Sequence, residues 1–190
     1  MEMSKWLRTG AFNEKDEYYT PKILVDVIVP YVPEGSTIWC PFDTEDSEFV
    51  HAFSKNHKVV YSHIWNGQDF FNYEPEQYDY IISNPPFTRK LEVLQRLYYL
   101  NKPFAMVLPL PMLNYQEVGN FFLYKELQLL IVDKKVSFDG NTASFNNSYF
   151  CYNLLPKDLM FAHLNHNNSR KHYVPSRMKF KSITSLDHND

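Results

Sequence analysis

The residues best equipped for chemistry are Asn84, Pro85, Pro86 and Phe87, which follow the apolar run Tyr78-Asp79-Tyr80-Ile81-Ile82-Ser83. A strand ending this way delivers a polar amide and two prolines to its carboxyl end, where open α/β sheets bind their ligands. The prolines remove two amide donors and stiffen the loop, so that carbonyl oxygens and Asn84 Oδ1 can be held toward one point. Phe87 adds a flat apolar surface beside them. Such a set suits either a planar heterocycle with an exocyclic amine, the acceptors taking the amine hydrogens and the ring the base, or a rigid Asn-Pro-Pro turn with a packed Phe.

The elements that must hold this loop are legible in the hydrophobic pattern. Thr37 to Cys40, Val59 to His63, Tyr78 to Ser83, Phe104 to Leu108 and Leu129 to Val132 are short runs rich in Ile, Val, Leu, Phe and Tyr. Most are bounded by Pro, Gly, Asn or Asp, as strands are. Between them, Pro21 to Tyr31, Ser47 to Asn56, Lys90 to Asn101 and Gln116 to Gln128 space apolar residues three and four apart, the helical period. Pro21 fits the first turn of its helix, with Thr20 as the cap. Alternating strands and helices predict an α/β fold, a mainly parallel sheet covered on both faces. Past residue 133, Val136 to Phe138 and Ser148 to Leu154 read as an antiparallel strand pair around an Asp139 to Asn147 loop.

Asn84-Pro85-Pro86-Phe87 after a hydrophobic strand resembles the catalytic Asn/Asp-Pro-Pro-aromatic signature of S-adenosylmethionine-dependent amino-methyltransferases, particularly those acting on adenine N6. Other segments resemble that family in the same order, over about residues 18 to 155. Tyr18-Tyr19-Thr20-Pro21-Lys22 is similar to its N-terminal cofactor motif, and Thr37-Ile38-Trp39-Cys40-Pro41-Phe42 to its first-strand motif. Gly67-Gln68-Asp69-Phe70-Phe71 resembles the segment whose acid meets the cofactor adenine, and Phe104 to Leu110 the strand after the catalytic loop. The whole run, with Cys40-Pro41-Phe42-Asp43-Thr44-Glu45-Asp46-Ser47, resembles small adenine methyltransferase-like proteins of bacteriophages and prophages.

This resemblance implies a Rossmann-like class I methyltransferase fold, S-adenosylmethionine as cofactor, and DNA or RNA as substrate. Asn84, Pro85, Pro86 and Phe87 are the implied catalytic set. Tyr19, Thr20, Pro21, Cys40, Pro41, Phe42, Asp43, His63, Asp69 and Phe70 are the implied cofactor set. Cys40 stands where the family places an acid before Pro-Phe, Asp43 to Ser47 replace a glycine-rich loop, and Ser62-His63 replace the acid that meets the ribose. The carboxylates of that loop either pair with a cationic cofactor or form a solvated acidic turn. These departures support a second reading: a phage-encoded protein of methyltransferase fold with an altered cofactor loop, acting as a binding or regulatory module, with a protein partner.

Arg89 and Lys90, just past the catalytic loop, either face phosphates or belong to the exposed side of the next helix. Net charge is -3 over 190 residues, yet residues 157–190 carry six Lys/Arg against three Asp, and the remainder is correspondingly acidic. Arg170, Lys171, Arg177 and Lys179 are accordingly candidates for nucleic-acid contact, or a solvated basic terminus. Two cysteines, Cys40 and Cys151, form neither a disulfide framework nor a metal set, and His163, His166 and His172 lack companion ligands. No metal is expected. With 44% hydrophobic and 22% charged residues the chain can bury a core, which excludes wholesale disorder. Its apolar stretches are too short to span a membrane, and no apolar signal core opens it, so a cytoplasmic protein is expected. The expected division is a methyltransferase-like domain over 1–159 and a basic C-terminal extension over 160–190.

Overall fold

The computed structural model describes residues 20–136 and 146–164. The strands there are β1 (Thr37–Cys40), β2 (Lys58–Tyr61), β3 (Tyr80–Ser83), β4 (Phe104–Pro109), β5 (Gln128–Val132), β6 (Asn147–Tyr152) and β7 (Leu159–Ala162). They form one sheet in the order β2-β1-β3-β4-β6-β5-β7. The run β2-β1-β3-β4 is parallel. β6 enters antiparallel between β4 and β5, and β7 lies parallel to β5 at the edge. The helices are α1 (Lys22–Val25), α2 (Glu48–Phe53), α3 (Lys90–Leu100) and α4 (Gln116–Phe122).

Two cores flank the sheet because alternate strand residues point to opposite faces. Ile38, Cys40, Ile82, Ala105, Val107, Tyr149 and Cys151 pack with Leu24 and Val25 of α1 and Phe49, Val50 and Phe53 of α2. Trp39, Ile81, Phe104, Met106, Leu108 and Phe150 pack on the other face with Val93, Leu94 and Leu97 of α3 and Val118 of α4. β4, central and covered on both sides, buries all six residues, which is why it reads as an uninterrupted apolar run. Ser47 caps α2, its Oγ accepting from Phe49 N at 3.1 Å. Asn101 ends α3 in the left-handed region at φ 51°.

Several elements differ from expectation. Pro21 occupies the N-cap of α1 with no side-chain cap bond, so Thr20, although buried, does not cap it. The helix expected to reach Tyr31 stops at Val25 and gives way to a 3₁₀ turn, Val29–Tyr31, around Pro30. Pro30 has no amide donor and disfavours helical geometry in the residue before it, so α1 cannot run through. α4 ends at Phe122, and Gln128 already belongs to β5. β6 finds its antiparallel partners in β4 and β5 rather than in the segment from Val136 to Phe138, of which Val136 lies outside any strand and residues 137–145 lie outside the described residues. β7 crosses the expected boundary at 159 and pairs Leu129 to Val132 with Leu159 to Ala162.

Candidate active site

Leaving β1, the chain enters β2 on one side; it then returns to place β3 on the other. That reversal opens a crevice at the carboxyl ends of β1 and β3, the ligand position of open parallel sheets. Asp43 sits there, 8% exposed. Its backbone N donates to Ser62 O at 3.2 Å, while Ser62 N donates to Cys40 O at 3.0 Å, so the ends of β1 and β2 stay zipped beyond the strands. Ser47 Oγ donates to Asp43 Oδ1 and Ser83 Oγ to Asp43 Oδ2. One carboxyl thus joins the cap of α2 to the last residue of β3. Burial pushes the Asp43 carboxyl up to about 6, while the two hydroxyls pull it down.

Cys40 points into the α1/α2 core, and burial first, then Asp43, holds its thiol well above the usual range. Pro41 is buried and Phe42 half-buried, its ring 4.9 Å from that of Phe70. At the end of β2, His63 Nδ1 accepts from Trp65 N at 3.2 Å, and the two rings meet edge-on at 4.5 Å. Burial lowers the His63 pKa, favouring neutral imidazole. Trp65 is 59% exposed. Asp69 turns back on its own loop, Oδ1 accepting from Phe71 N at 3.1 Å. Phe70 is fully packed, 5.4 Å from the ring of Trp39.

Beyond Ser83, Asn84 is half-buried, Pro85 buried and Pro86 half-buried; Phe87 opens a 3₁₀ turn, Phe87–Arg89. Asn84 Oδ1 is buried with no hydrogen-bond partner among the described residues. Arg89 lies 3.7 Å over the ring of Phe71 and pairs with Glu92, so its charge is already engaged. Lys90 is partly desolvated, which lowers its pKa. Tyr19, Arg170, Lys171, Arg177 and Lys179 lie outside the described residues, as do His166 and His172. Thr20 and Pro21 lead into α1, which Tyr149 tethers by donating to Leu24 O at 2.9 Å.

The structure therefore brings Cys40, Pro41, Phe42, Asp43, His63 and Asn84 to one end of the sheet. Sequence reasoning missed Ser83 and Ser47 as holders of Asp43. It also missed the exposed Trp65 and Asn147, the buried first residue of β6. A serine directly after an apolar strand was the available signal for Ser83; nothing local marked Asn147. Among the described residues, no group of three or more His, Cys, Asp or Glu is arranged to hold a metal ion, and no helix is long and apolar enough to cross a membrane.

This sheet order, with its inserted antiparallel strand and ligand crevice, defines a Rossmann-like class I methyltransferase fold. The chain is similar in structure to the methyltransferase subunit of a type I restriction-modification system from Streptococcus thermophilus, with TM-score 0.50 and 16% identity over 77% of this chain. It spans 47% of that subunit's length. A second similar structure, described as a predicted O-methyltransferase from Agrobacterium tumefaciens, has TM-score 0.42 and 9% identity, covering 82% of this chain and 92% of that one. No protein-family model matches the chain. No curated protein matches its sequence.

Proposed function

We propose that the chain is an S-adenosylmethionine-dependent methyltransferase acting on adenine N6 in DNA or RNA. The observation that carries this reading is Asn84 Oδ1, a buried acceptor without a donor at the carboxyl end of β3. Leaving such a group unsatisfied costs about 1–3 kcal/mol, a cost removed when a ligand donates to it. In this reading Asn84 Oδ1 and the Pro85 carbonyl accept the two N6 hydrogens and hold the amine lone pair in one direction. Phe87 stacks on the base, which in a duplex must first leave the helix.

When bound, S-adenosylmethionine supplies a methyl group activated by its sulfonium. The residues fit such a group in charge: Asp43, pushed up to about 6 by burial, is held by the Ser47 and Ser83 hydroxyls and pairs with no cation among the described residues, so a positive centre brought against it would stabilise its carboxylate. Asp43, Pro41 and Phe42 hold the cofactor at the crevice, Thr20 and Pro21 its amino-acid end, and His63 and Asp69 its nucleoside end. Cys40, behind Asp43, and Phe70, beneath Phe42, support that wall. The restriction-modification setting of the structural neighbour favours DNA.

Calorimetry with S-adenosylhomocysteine, followed by incorporation of labelled methyl into DNA and RNA and nucleoside analysis, tests this reading. Cofactor binding with N6-methyladenine as product is the expected result. Methylation of another base or of protein overturns the adenine assignment. Absence of cofactor binding points instead to the binding-module reading, which the inward turn of the Asp69 carboxylate favours.

A further inference from the structure

A second amide at the same end of the sheet is also buried and unpartnered. Asn147 is 2% exposed, and among the described residues neither its Oδ1 nor its Nδ2 has a hydrogen-bond partner. It is the first residue of β6, and because β6 runs antiparallel to β4 this start lies at the carboxyl end of the parallel strands, with Asn147 opposite Pro109. The pleat gives Asn147 the same side as Tyr149 and Cys151, the side of Ile82 and Val107. Only β4 stands between β6 and β3, and the loop bearing Asn84 begins one residue past Ser83.

A buried amide with both ends unsatisfied forfeits more than one hydrogen bond, and a leucine of the same branched shape would avoid that cost. We infer that Asn147 is a base-reading residue: its Nδ2 donates to a ring nitrogen beside N6 of the adenine whose amine reaches Asn84. Two strand spacings separate β3 from β6, about 10 Å. A purine with a hydrogen bond to an amide at either side bridges such a gap over the end of β4. The ligand chemistry is specific. On both edges of adenine the amine lies next to a ring-nitrogen acceptor, so a donor from Asn147 and an acceptor from Asn84 match adenine and mismatch the 6-keto, N1–H pattern of guanine.

Asn147 also lies on the opposite side of β3 from β1 and β2, away from the crevice assigned to the cofactor. Its effect is therefore expected on the substrate alone. The inference rests on the adenine reading of the site and adds the residue that recognises the ring.

The test compares the parent with Asn147→Leu, using single-stranded thymine-tract oligonucleotides that carry one adenine, one 1-deazaadenine, one 7-deazaadenine or none, with S-adenosylhomocysteine present. The parent is expected to prefer the adenine oligonucleotide over the all-thymine one, and to lose that preference for one of the two deaza analogues. Asn147→Leu should reduce the adenine preference about tenfold, the equivalent of one hydrogen bond to the base. Its melting temperature should be unchanged or higher, since two unsatisfied polar atoms are gone, and its affinity for S-adenosylhomocysteine should be unchanged. A variant that keeps the parental preference, or a melting temperature lowered by several degrees, overturns the inference in favour of a purely structural amide. So does a parent without adenine preference. Methyl transfer to adenine by a parent whose preference survives in Asn147→Leu overturns this inference alone. An Asn147-dependent preference in a parent that binds no cofactor overturns the methyltransferase reading alone.

Discussion

The Ser83 hydroxyl donates to Asp43 Oδ2, tying the last residue of β3 to the loop after β1, two positions 40 residues apart in the chain. Ser83 and Asp43 are both buried, so the bond is shielded from water and spans the crevice floor. Ser83→Ala removes a donor from a buried carboxylate, worth about 1.5–3 kcal/mol. Because that hydroxyl helps to hold the Asp43 pKa down, its removal should raise it further. Urea denaturation is expected to show a larger loss at pH 7.5 than at pH 5, where more of Asp43 is already protonated.

Asp43 itself should leave a pH signature. Its folded-state pKa of about 6 lies above its ordinary 3.8, so the protonated carboxyl stabilises the fold below about pH 4 and that contribution disappears as pH rises through 6. The gap corresponds to about 3 kcal/mol. Asp43→Asn should therefore gain stability relative to the parent between pH 4 and 7, read as diverging urea midpoints. Affinity of the parent for a cationic cofactor should rise over the same interval and stay flat in Asp43→Asn. Parallel stability curves would show that Asp43 titrates normally.

For Asn84→Ala the expected outcome is a folded protein with parental cofactor affinity and a methyl-transfer rate lower by on the order of 10²-fold or more, as for loss of one preorganised transition-state acceptor. Single-turnover incorporation of labelled methyl measures it. A variant as fast as the parent would remove the motif from the mechanism.

Tyr149→Phe should cost about 1–3 kcal/mol, since the Leu24 carbonyl that receives its hydroxyl at 2.9 Å is buried with it. Thermal unfolding reads the loss. Because α1 carries Thr20 and Pro21 at its start, cofactor affinity should fall together with stability in this variant, unlike in Asn84→Ala.

We propose that the basic C-terminal residues contact phosphates. Neutralising Arg170, Lys171, Arg177 and Lys179 should then weaken binding equally across sequences and lower the salt slope by about 0.9 for each duplex-DNA phosphate no longer neutralised. Fluorescence titrations at several salt concentrations give the slope. An unchanged slope would make this segment a solvated terminus.

The α/β order was legible in the sequence because strands such as β4, buried on both faces, are continuously apolar from Phe104 to Pro109. Asn84-Pro85-Pro86-Phe87 was legible because its acceptors and stiffening prolines are contiguous. β7 was not: Leu159 and Phe161 are exposed and Met160 and Ala162 only half-buried, so a four-residue edge strand leaves a weak pattern. Its pairing with β5 is what makes it a strand.

Residue order alone thus carried the alternation of elements and the chemistry of the loop after β3, because periodicity and contiguous side chains are local properties. Folding in three dimensions decided the rest. The sheet order brought Ser83 and Ser47 onto Asp43, and the reversed direction of β6 carried Asn147 to the end of the sheet that holds Asn84. Such contacts depend on which strands lie side by side and which way each runs. Hydrogen bonding between distant segments sets both, and no window of neighbouring residues contains that information.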